Sequence, residues 1–114
     1  GASALITALS ASGISSAAFT FYGFLPHKKG RETLFKTITE SDMTSVFYES
    51  VHRIEKTLES LAKYLDDKRQ IVIARELTKM HEEVVRGGAE EIKKYFEMNK
   101  DHVRGEFVVI VEGC

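Results

Sequence analysis

Apolar positions along this chain switch repeatedly between helical and strand spacing. Leu5, Ile6 and Leu9 recur at helical intervals and predict a helix over about Ser3–Ser12, stopped at Gly13. Phe19 and Phe21 then alternate as on a pleat, which predicts a strand over about Phe19–Gly23. Leu34, Phe35 and Ile38 fall in one helical stripe, giving a basic helix over about Lys29–Thr39. Ser41 and Asp42 mark a turn, and Met43–Tyr48 is an apolar run of strand length. Val51, Ile54, Leu58, Leu61 and Leu65 form the longest stripe in the chain, a helix that Ser50 is placed to cap and Asp66 and Asp67 end. Ile71–Ala74 is a continuous β-branched run, the pattern of a strand buried on both faces. Glu82–Arg86 reads as a further short strand, broken by Gly87 and Gly88. Ala89–Asn99 follows as a helix with Ile92, Tyr95 and Phe96 inward, and Glu106–Glu112 as a last apolar strand. Five strands interleaved with four helices predict an α/β fold, a mixed sheet with helices packed on it.

Composition narrows the picture. The chain has 114 residues, enough for one domain with a real core. Its net charge of −1 gives no global attraction to nucleic acid, so any such binding must come from a local patch. Cys114 is the single cysteine, so neither an intrachain disulfide nor a cysteine metal framework is expected, and a reducing, cytoplasmic setting fits. The four histidines have no metal-ligand spacing, and no run approaches the roughly 20 apolar residues of a membrane span. A helical pattern that begins at once, without Met, suggests a piece of a longer protein.

The segment Phe21–Arg31 carries the most chemistry. Pro26, the only proline, lacks a ladder N–H and ends the strand. His27, Lys28, Lys29 and Arg31 then project from a loop in which Gly30 supplies backbone freedom. Clustered cations on a rigid apolar base suit a phosphate backbone; a solvated basic turn is the plainer alternative. Walker A, Gly-x-Gly-x-x-Gly and Gly-x-Ser-x-Gly motifs are absent from the sequence. Glu49 sits where an apolar strand meets a helix, and ligands in α/β sheets bind beyond the carboxyl ends of strands. His52 and Arg53 fall in the first turn of that helix, where cations oppose the dipole and hint at an external role. The charged run from Arg75 follows the most buried strand and lies at its carboxyl end.

Four blocks in order, Phe21-x-Gly-Phe-Leu-Pro-x-Lys28, Val46–Arg53, Ala74–Gly87 and Arg104–Gly113, resemble the small-subunit rRNA (cytidine-2′-O)-methyltransferases of the tetrapyrrole-methylase superfamily. The resemblance runs the length of the chain. It implies the C-terminal domain of such a two-domain enzyme, without the N-terminal domain and its Gly-rich cofactor loop. It further implies S-adenosylmethionine as methyl donor and a cytidine ribose in small-subunit (16S) ribosomal RNA as acceptor. Residue by residue, Leu77 and Thr78 would sit against the cofactor, Tyr48 and Glu49 would flank its adenosine, and Glu106 with Phe107 would close the pocket. Phe107 reads equally well as plain core. Glu49 and Glu106 are the candidates for a general base, and Lys28, Lys29, Arg31 and Arg53 for RNA contact. A tetrapyrrole-precursor methyltransferase, or a non-catalytic RNA-binding or dimerisation module, are the competing readings. The isolated chain is expected to fold but not to catalyse, and to expose a strand-end surface through which a homodimer could form.

Overall fold

The computed structural model describes residue 13 and residues 18–78, 81–102 and 105–114, with the side chains at 76–78, 81 and 82 outside that description. The expected helix over Ser3–Ser12 therefore lies outside the described residues. The described elements run β1 (Phe19–Phe24), α1 (Arg31–Glu40), β2 (Thr44–Ser50), α2 (Ile54–Tyr64), β3 (Ile71–Thr78), β4 (His81–Gly87), α3 (Ala89–Met98) and β5 (Glu106–Val111), with a 3-10 turn at Lys100–His102. Strands lie in the order β1-β2-β5-β3-β4. β1 pairs parallel with β2 and every other pairing is antiparallel, so the sheet is mixed as the alternating pattern predicted.

The period of 2 along each strand divides the sheet into two apolar faces. Phe47, Ile71, Ile73, Phe107, Val109 and Val111 point to one side and pack against Phe35, Ile38, Ile54, Leu58, Leu61, Ile92 and Phe96 of the helices. Val46, Val72, Ala74, Val108 and Ile110 point to the other side and form a second buried cluster. Burial of both faces explains why β3 and β5 read as continuous apolar runs rather than alternating ones. Among the described residues no helix is long and apolar enough to cross a membrane.

Three boundaries moved, each for a tertiary reason. β2 continues past its apolar run through Glu49 and Ser50, because those residues pair with Phe107 and Glu106 of β5. β3 likewise continues four residues beyond Ala74, to Thr78, against β4 and β5. Ser50 is consequently a strand residue and not a helix cap. Arg53 holds the N-cap position of α2 without a side-chain cap bond, and His52 precedes the helix. A good cap contributes only about 1 kcal/mol. The fully buried Ile54, Leu58 and Leu61 each contribute about 1.5–3 kcal/mol, so packing outweighs the missing cap.

Candidate functional site

Sheet register brings the predicted residues to one end of the molecule. Glu49 lies opposite Phe107, Phe107 opposite Arg75, and Arg75 opposite Glu83, a row across four adjacent strands. Ser50, Glu106 and Glu76 form the next row outward, and Leu77 and Thr78 lie just beyond on β3. The carboxyl ends of β2 and β3 thus flank the amino end of β5. Adjacent strands lie about 5 Å apart, so one small ligand can span all three.

The side chains in these rows divide. Glu106 is exposed and Tyr48 half-buried on the face opposite the helices. Phe107 is fully buried and meets Phe96 edge to face, with ring centroids 5.7 Å apart, so it belongs to the core beneath the strand-end surface. The side chains of Leu77 and Thr78 lie outside the described residues.

Glu49 is 3% exposed and its carboxylate is fully engaged. Oε1 accepts from the Ser50 N–H at 2.9 Å and Oε2 from the Thr57 hydroxyl at 2.5 Å. The Thr57 oxygen in turn accepts from Arg31 Nη2 at 2.8 Å, and that nitrogen lies 3.8 Å from Glu49 Oε2. Arg31 also donates through Nη1 to the Pro26 carbonyl at 3.1 Å and lies over the Phe35 ring. Burial lowers its guanidinium pKa from the usual value, Glu49 opposes this and Arg53 adds to it, so the three share one field. Arg31 is therefore the fastening of the basic loop. Lys28 and Lys29 remain its exposed cations, His27 is exposed beside them, and Arg53 is half-buried nearby. Gly30, at φ 83, supplies the left-handed turn that starts α1.

A second polar cluster closes the other flank. The buried Arg75 pairs with Glu83 at 3.1 Å and donates to the His102 carbonyl. Glu83 Oε2 accepts from Tyr95 at 2.7 Å and from His102 Nδ1 at 2.8 Å, tying the turn before β5 to β4 and α3. The signal for Arg75 was present in the chain: alternation carries the inward positions 71 and 73 on to 75. Nothing local marked Thr57 as the partner of Glu49, His102 as the partner of Arg75, or Tyr95 and His102 as the partners of Glu83. Burial pushes the Glu83 carboxyl up, but the hydrogen bonds from Tyr95 and His102 and the charge of Arg75 outweigh it, leaving the pKa below its ordinary 4.5. A carboxyl lowered on folding stabilises the fold above its unfolded pKa, and that contribution disappears as pH falls through the folded value. Stability should therefore drop in acid below the ordinary carboxylate range, and Glu83→Gln should flatten that limb of the curve. Denaturant titrations from pH 6 to pH 2 measure this; identical pH slopes in both proteins would remove the assignment.

A concavity of about 430 Å³ opens at the opposite end of the sheet, lined by Asp67, Gln70, Gly88, Glu90, Glu91 and Lys94. Three carboxylates there repel a phosphate polymer, and none of the predicted residues lines it. The strand-end surface remains the candidate site.

A family model described as Tetrapyrrole (Corrin/Porphyrin) Methylases matches residues 1–93. The chain is 46% identical over 114 residues to the ribosomal RNA small subunit methyltransferase I of Haemophilus influenzae and 44% identical to that of Bacillus subtilis, with 99% of this chain aligned in each case. It spans only 40% and 38% of the length of those relatives. Among solved structures it is similar in fold to the methyltransferase CobJ, with a TM-score of 0.67 at 19% identity, over 97% of this chain and 48% of that one. The cobalamin biosynthetic enzyme cobalt precorrin-4 methyltransferase, CbiF, gives 0.65 at 14% identity, over 95% and 48%.

Proposed function

Because this chain belongs to the tetrapyrrole (corrin/porphyrin) methylases, we propose that its parent protein methylates the ribose 2′-hydroxyl of a cytidine in small-subunit ribosomal RNA. The observation that carries the reading is identity of 44–46%, over 99% of the chain, to relatives named for small-subunit rRNA methylation. A basic loop fastened beside the strand ends supports it. A ribosomal substrate implies a cytoplasmic enzyme.

The methyl donor implied is S-adenosylmethionine, a sulfonium that supplies an activated methyl group. The donor set suits it: the exposed Glu106 carboxylate complements a cation, and the Tyr48 ring offers an aromatic surface beside it. Backbone groups at Leu77 and Thr78 would complete that wall, with the buried Glu49 and Phe107 supporting it from behind. The remaining task of this chain is orientation, since the acceptor hydroxyl must be held in line at about 3–3.5 Å from the reacting carbon. Lys28, Lys29 and Arg53 bind phosphates for that purpose, with Arg31 positioning their loop. Glu49 positions Arg31 and the end of β2. Glu106, the exposed carboxylate, is the group of this chain suited to accept the hydroxyl proton.

The test is label transfer from methyl-labelled S-adenosylmethionine by the full-length protein, with small ribosomal subunits and a porphyrinogen supplied side by side. Label in an alkali-resistant dinucleotide of the RNA is the expected result. Label in the tetrapyrrole alone would overturn the reading in favour of the macrocycle. In the same protein, Lys28→Ala with Lys29→Ala should weaken RNA binding and reduce the slope of log K against log salt by about 0.7 for each phosphate that is no longer neutralised. An unchanged slope would remove the loop from the interface.

A further inference from the structure

We infer that Phe21 and Phe24 form a base-stacking platform that selects an unpaired stretch of RNA and delivers it to the strand-end site. The inference rests on the RNA reading above and deepens it, because phosphate contacts position a nucleic acid without distinguishing a single strand from a duplex.

The observation is an arrangement that ordinary strand geometry does not produce. Residues three apart on a regular strand point to opposite faces. In β1 the pairing slips between Phe21 and Phe24, so that Phe21 lies opposite Val46 and Phe24 opposite Tyr48, both outward on one face. Gly23, at φ 67, makes the slip: this left-handed conformation in a strand suits a residue without a Cβ. Both rings contact Tyr48, with centroids at 5.2 Å and 5.5 Å, so their orientation is set from below. They nevertheless remain 45% and 58% exposed. Exposed rings on an edge strand are a liability that folding alone would not select.

Charge identifies the occupant. Leu25 is buried and Pro26 stiffens the exit from β1, and the next residues are the exposed His27, Lys28 and Lys29. Their loop is fixed by Arg31 on the Pro26 carbonyl. Aromatic faces beside a cationic track match a strand whose bases are free to stack and whose phosphates follow alongside, the general solution for unpaired nucleic acid. A duplex keeps its base faces covered, and an apolar peptide would leave the lysines without partners.

The experiment uses the full-length protein and a single-stranded RNA carrying 5-bromouracil, alongside the same sequence annealed to its complement. Phe21→Ala and Phe24→Ala should each weaken single-strand binding roughly five- to hundredfold. The salt slope and duplex binding should be unchanged. Phe24→Trp should retain binding, with its fluorescence quenched by the RNA, and photocrosslinks should map to this pair of residues. A double alanine variant that binds the single strand as tightly as the wild type, while methylation of ribosomal subunits proceeds, would overturn the platform and leave the proposed function standing. A wild-type protein that neither binds nor methylates RNA would overturn the function itself. Crosslinks confined to other surfaces, with both rings shielded by another part of the protein, would also overturn the platform.

Discussion

Phe107→Ala should cost about 3–5 kcal/mol of stability, the usual penalty for emptying a fully buried phenylalanine site. The ring is 0% exposed, edge to face with Phe96, in the row between Glu49 and Arg75. Removing it opens a cavity where the sheet meets α3, and both flanking polar clusters lose their spacer. Phe107→Leu keeps most of the volume and should cost well under half as much. Urea unfolding of the variants, with titration of S-adenosylmethionine into the full-length protein, separates two roles. A core ring produces a large stability loss first, with any weakening of cofactor binding following from it. A stability change below about 1 kcal/mol accompanied by a sharp loss of cofactor affinity would return the ring to the pocket.

The second large effect is expected at Arg69, which is 8% exposed. Its guanidinium donates to the Glu112 carbonyl at 2.9 Å, the Thr39 carbonyl at 2.7 Å and the Ile38 carbonyl at 3.4 Å. The last two belong to the carboxyl end of α1, where backbone acceptors lack helical partners and a cation complements the dipole. α1 has no basic residue in its own last turn, so this cation comes from the connection between α2 and β3. Arg69→Ala strips a donor from three carbonyls, of which Ile38 keeps the Ser41 N–H and Thr39 the Cys114 thiol, and should destabilise by about 2–3 kcal/mol, since a buried acceptor left unpaired costs about 1–3 kcal/mol and the helix end also loses its cation. Arg69→Lys keeps the charge but not the planar fork, and should recover only a minor share. Equal stability of Arg69→Lys and the parent would show that charge alone suffices there.

Hydrophobic period determined the order and type of the described strands and α-helices, and with it the mixed α/β class, but gave no sign of the 3-10 turn at Lys100–His102. It worked because each strand and helix buries one continuous face or stripe, which must be written into the chain at spacing 2 or 3.6. The Pro26 loop was legible for the same kind of local reason, a missing N–H followed by adjacent cations. Tertiary structure decided where elements end, because Glu49 and Ser50 are strand residues only by virtue of pairing with Phe107 and Glu106. It also decided the direction of side chains near those ends. Arg31 looked like one more loop cation, yet its partners are Pro26, Thr57 and Glu49, the last two contributed by separate elements. Arg69 gave no local sign, since its acceptors lie 30 to 43 residues away. The face shared by Phe21 and Phe24 depends on a slip at Gly23 that runs against simple alternation. Local sequence encodes periodicity and backbone permission; the partner of a polar group, and the face of a residue beyond a bulge, exist only once distant strands are in register.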